Sequence, residues 1–102
     1  ERLVADLGDK PVLILRNHGL LTVGRSVAEA WKYMYNLEQS CRTQLQLQAS
    51  GAELVTPPAA VQDKTAAQYA EEFDAIAAGR QPDIEWAAFK RLLDQREPDY
   101  KT

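Results

Sequence analysis

The stretch Pro11-Val12-Leu13-Ile14-Leu15-Arg16-Asn17-His18-Gly19-Leu20-Leu21-Thr22-Val23-Gly24 decides how this chain is read. Val12 to Leu15 are four consecutive aliphatics between turn-forming residues, the pattern of a strand buried on both faces. A second apolar run, Leu20 to Val23, ends at Gly24. The short Asn- and Gly-containing connection predicts a hairpin, and a simple bend is the alternative. Upstream, Glu1 to Leu7 suit a short helix closed by Gly8.

Downstream the pattern turns helical. Ser26 followed by Glu29 is a capping box, which satisfies two backbone N–H groups where a helix begins. Val27, Ala30, Trp31, Met34, Cys41 and Leu45 fall along one stripe of a helix that runs to about Ala49, with Gly51 placed to end it. A helix of about 24 residues would span about 36 Å. Thr56-Pro57 predicts the cap and first residue of the next helix, with Val61, Tyr69, Phe73 and Ile76 as its apolar side and Gly79 as its end. Asp83 caps a last helix carrying Ile84, Trp86, Phe89, Leu92 and Leu93, and Glu97-Pro98 stops it. Asp99 to Thr102 read as a chain terminus, and the glutamines from Gln44 to Gln48 as a solvated face.

At 102 residues there is room for one small domain. A hydrophobic fraction of 45% with 26% charged residues is ordinary for a globular protein. The net charge of -3 argues against nucleic acid or an anionic membrane surface as a partner. No apolar run approaches the roughly 20 residues that span a bilayer, and no signal-peptide pattern is visible. The single Cys41 cannot pair internally, so a cytoplasmic, reducing setting is expected. Two short aliphatic strands cannot make a stable sheet alone. Val12 and Ile14 would face one side and Leu13 and Leu15 the other, so both faces want cover and both edges want partners. The expectation is an α/β fragment whose further strands lie upstream or in a partner subunit.

The candidate site is Asn17-His18-Gly19. An imidazole can ligate a metal or carry protons near neutral pH. Gly19 would permit a positive φ or a close approach of backbone to ligand, and Asn17 would fix the loop. The plain alternative is an ordered turn histidine. A zinc site needs three or four donors, and this chain holds one histidine and one cysteine, so any companions of His18 lie elsewhere. Cys41 sits on an apolar stripe, where packing is the better reading. No phosphate loop is present, and Ser40 and Cys41 lack a local histidine partner for nucleophilic work. No catalytic residue is assigned to this chain.

The run Leu13 to Gly24, continuing through Ser26-Val27-Ala28-Glu29-Ala30 into Leu37-Glu38 and Cys41, resembles the segment near the C-terminal end of the class II aldolase/adducin family. The ending from Trp86 to Tyr100, with Asp94 and Pro98, is similar to the tail of many bacterial members. That resemblance implies the C-terminal part of a three-layer αβα domain with a mixed sheet, here a short strand pair followed by three helices. Residues 1–102 would form the C-terminal portion of one such domain. Residues 1–51 would carry the helix, strands, long helix and Asn-His-Gly turn, and 52–102 the remaining helices and tail. It implies that His18 is the third ligand of a zinc or other divalent ion, the first two coming as a His-x-His pair from an earlier segment. The metal would polarise a carbonyl and stabilise the enediolate formed on carbon–carbon cleavage of a carbonyl- or sugar-type substrate. The pair and the acid/base residue are absent here, so the chain alone should be inactive. The implied partners are the missing N-terminal part and further copies in a homo-oligomer, commonly a tetramer. Two other functions stay open: an adducin-like, non-catalytic interaction module, which the run from Trp31 to Gln44 suits equally well, and a freestanding helical module.

Overall fold

The computed structural model describes residues 2–101, which fold as an α/β chain. The elements in order are α1 (Arg2–Leu7), β1 (Val12–Leu15), β2 (Gly19–Thr22), α2 (Val27–Ser50), α3 (Ala59–Ala77), α4 (Ile84–Arg96) and a 3-10 turn, η1 (Pro98–Lys101). The expected first helix and hairpin are both present; Glu1, assigned to that helix from sequence, lies outside the described residues. The chain divides into two compact units, Glu1–Ala59 and Ala60–Thr102.

In the first unit β1 and β2 pair antiparallel, with Val12 opposite Thr22, Leu13 opposite Leu21, Ile14 opposite Leu20 and Leu15 opposite Gly19. The Val23 N–H donates to Pro11 O at 2.9 Å and prolongs the ladder by one bond. Directly opposed residues share a sheet face, so Val12, Ile14, Leu20 and Thr22 lie on one side and Leu13, Leu15 and Leu21 on the other. The Thr22 hydroxyl donates to Ala30 O at 2.9 Å and ties the end of β2 to α2. The expectation of strands buried on both faces is not met: no residue of either strand is fully buried, and Ile14 is 65% exposed. The reason is the small number of layers. A two-stranded sheet against one helix leaves an open face and two open edges, as strand length and apolar content foreshadow.

Helix α2 begins as its capping residues require. Ser26 is extended and its Oγ accepts from Glu29 N–H at 3.1 Å. The Glu29 carboxylate reaches back to the N–H of Arg25 at 2.7 Å, one residue before the cap, and also pairs with the Arg25 guanidinium at 2.8 Å. Gly51, at φ 68°, ends the helix in the left-handed conformation that glycine adopts without a Cβ penalty. The middle of the predicted stripe is used for packing: Ala30, Trp31, Met34 and Cys41 are half-buried, whereas Val27 and Leu45 toward the two ends are 78% and 65% exposed. Residues Gln44 to Gln48 are exposed, as the polar composition indicates.

Helix α3 starts at Ala59, the last residue of the first unit and two residues after the predicted Pro57, and continues into the second. Pro58 accounts for the delay, because the ring of a proline disfavours helical dihedrals at the residue before it. Gly79 N–H to Ile76 O at 3.0 Å and Arg80 N–H to Ala75 O at 2.8 Å close α3 in a Schellman arrangement. Asp83 accepts from Trp86 N–H at 2.9 Å and caps α4, as expected. Phe73 is the one buried apolar side chain among the described residues. Val61, Tyr69 and Ile84, assigned to packing faces from their spacing, are exposed.

Candidate functional site

The hairpin apex is a four-residue turn, Leu15 to His18, closed by the His18 N–H donating to Leu15 O at 3.2 Å. Asn17 occupies the third position at φ 61°, the one non-glycine residue with positive φ among those described. A turn with positive φ only at its third position belongs to the type II class, which asks for glycine or asparagine there. Asparagine tolerates the left-handed region better than other side chains. Gly19 follows at φ 124°, a conformation that L side chains rarely adopt, with open space where a Cβ would stand. Two unusual backbone conformations therefore flank His18 and fix the direction of its backbone. The three residues singled out from sequence are brought together as one exposed turn.

The imidazole of His18 is exposed and makes no hydrogen bond among the described residues. No group of three or more His, Cys, Asp or Glu side chains that would hold a metal forms among them. Cys41 lies half-buried on α2 as a free thiol, in keeping with packing. Asp9 is paired with Lys10 at 2.8 Å, whose hydrogen bond and charge hold the Asp9 carboxyl below its ordinary range. Ser40 donates to Asn36 O at 2.8 Å inside its own helix. Trp31 and Tyr35 stack with ring centroids 5.3 Å apart and planes at 19°, an offset aromatic pair one helical turn apart. Among the described residues the turn thus offers one side-chain group of a metal-binding type, the His18 imidazole, and no complete site forms.

At the opposite end of the hairpin the chain passes into α2 through a tight crossing. A Cβ on Gly24 would sit 2.6 Å from Ala30 N, so only glycine lets the strand exit lie against the helix. Beside it is an open groove of about 460 Å³, walled by Pro11, Val23, Arg25, Glu29 and Tyr33 among others. Lys32 is a second feature that sequence reasoning missed. It is only 6% exposed, although lysine is rarely enclosed and no local pattern marked it.

The hairpin with its exposed imidazole, joined through Gly24 to the capped helix α2, makes this an α/β chain. The chain belongs to the class II aldolase/adducin family: residues 1–45 match the family model described as Class II Aldolase and Adducin N-terminal domain. Its similarity to a Pseudomonas aeruginosa protein, whose name assigns it provisionally to aldolase class 2, is 39% identity over 98% of this chain and 38% of that protein. A Caulobacter vibrioides protein of the same name class is 38% identical over 98% of this chain and 37% of its own length. Alpha-adducin of Rattus norvegicus is 54% identical over 46 residues, 44% of this chain and 6% of that protein. The chain therefore spans well under half of the curated relatives it matches along its length. No solved structure matches it. Among the described residues no helix is long and apolar enough to cross a membrane.

Proposed function

We propose that this chain is the C-terminal portion of a class II aldolase-type lyase domain and presents His18 as one of three ligands to zinc or another divalent ion. The observation that carries the reading is the His18 turn. It holds an imidazole free of hydrogen bonds among the described residues, between backbone conformations that only Asn and Gly take readily, inside the stretch matching the family. Asn17 and Gly19 act through the backbone; they set where the ring stands and leave both nitrogens available. A neutral imidazole is a donor that suits zinc and its neighbours in the first transition series. When bound there, the ion supplies Lewis acidity toward a carbonyl- or sugar-type substrate. The remaining ligands and the acid/base group come from other parts of the protein, so this chain alone is inactive. A homo-oligomer and a cytoplasmic location accompany this reading.

The test is metal content of the full-length protein, wild type against His18→Ala, with secondary structure checked by circular dichroism. We expect stoichiometric metal in the wild type and loss of most of it in the variant. Unchanged metal in a folded His18→Ala protein ends the assignment. A second reading, an adducin-like interaction module without catalysis, draws on the 54% identity to alpha-adducin over 46 residues. Metal-free full-length protein with no lyase activity would favour it.

A further inference from the structure

The end of α4 carries a polar cluster unrelated to the His18 turn. Pro98 has no N–H to continue the helix, and the Glu97 N–H closes it on Leu93 O at 2.8 Å. η1 then brings two side chains back to Asp94. The Tyr100 hydroxyl donates to Asp94 Oδ1 at 2.6 Å, and Lys101 Nζ meets the same oxygen at 2.7 Å. The Lys101 ammonium also stands 5.7 Å from the centre of the Tyr100 ring. By contrast, the backbone bond within this segment, Tyr100 N–H to Glu97 O, is long at 3.3 Å. Such a bond holds a turn weakly. One carboxylate therefore receives both side chains, Tyr100 and Lys101.

We propose that Pro98–Lys101 is a strap latched onto α4 by the charge of Asp94, which clamps a phenol and an ammonium while ionised and releases both together when neutral. Charge-assisted hydrogen bonds are roughly twice as strong as neutral ones, and here two converge on one oxygen. Among the described residues the groups that act on the Asp94 charge are Lys101 and Tyr100 on the turn and Lys90 one turn back on α4, and each favours its anion. Accordingly the Asp94 carboxyl is held below its ordinary range, first by Lys101 and then by Tyr100. The hydrogen bond to Asp94 keeps the proton on Tyr100 and on Lys101 to higher pH than usual. The sign follows: the latch is complete above the ordinary aspartate range and is lost as pH falls through the lowered value. At the alkaline end it persists past the ordinary titration of tyrosine.

The experiment compares wild type, Asp94→Ala and Asp94→Asn in the full-length protein, by hydrogen exchange of the segment 98–101 and by NMR titration of Tyr100 carrying carbon-13 at Cζ. Alanine is a better helix former than aspartate, so loss of α4 is not expected. Both variants should exchange about threefold to tenfold faster in that segment, the range for loss of two exposed polar contacts, and Tyr100 should titrate lower than in wild type. Wild type at acid pH should behave like Asp94→Ala at neutral pH. Wild-type exchange in Asp94→Ala overturns the latch. Release in Asp94→Ala with wild-type exchange in Asp94→Asn also overturns it, because hydrogen bonding rather than charge would then be the anchor.

Discussion

Gly24→Ala tests the reasoning that joins hairpin to helix. The added Cβ would stand 2.6 Å from Ala30 N and 3.1 Å from both Ala30 Cα and the Glu29 carbonyl carbon. All three are backbone atoms, so no side chain can swing away. They are also fixed: Ala30 N–H bonds Ser26 O at 3.0 Å, Ser26 Oγ caps Glu29 N–H, and Ala30 O accepts from Thr22 at 2.9 Å. Restoring ordinary contact requires the strand exit to move by roughly 1 Å, enough to lose one of these bonds. Overpacking costs about 1–3 kcal/mol, and a lost hydrogen bond adds about 0.5–1.5 kcal/mol. A total near 2–4 kcal/mol lowers the urea midpoint by about 1–2 M for a slope of ~2 kcal/mol per molar. Gly8→Ala is the informative comparison. It has no atom within 4 Å of the new Cβ but lies at φ 58°, so its cost of about 1–2 kcal/mol is conformational alone. Equilibrium urea unfolding of the protein measures both. A Gly24→Ala midpoint within error of wild type would refute the close-crossing argument, since no rotamer change offers relief.

Other outcomes follow from the same geometry. Asn17→Gly should be near neutral in stability, whereas Asn17→Val forces a β-branched residue to φ 61° and should cost about 1–3 kcal/mol in urea unfolding. If the turn positions the His18 ring, Asn17→Val should also weaken metal binding by the full-length protein in a competition titration, and Asn17→Gly should not. Ser26→Ala removes the acceptor for the Glu29 N–H and should destabilise by about 1 kcal/mol, read by the same unfolding curve.

The candidate site was legible from residue types because its logic is local. Asn17 and Gly19 announce the backbone conformations they adopt, and these depend on no distant contact. Lys32 and the Asp94 cluster were not legible. Enclosure of a lysine on α2, and the convergence of Tyr100 and Lys101 on a residue several positions earlier, arise only when separate elements meet in space.

The same division holds for the fold. Sequence by itself determined the hairpin, the caps at Ser26 and Asp83 and the glycine stops at Gly8, Gly51 and Gly79, because turn dihedrals and terminal hydrogen bonds are settled within a few residues. Which apolar stripes are covered was decided by tertiary structure alone. Ile14, Leu45 and Ile84 have the spacing of packing residues yet stand exposed, while Phe73 is buried. Periodicity can say that a face is apolar, but burial needs a second surface to exclude water from it.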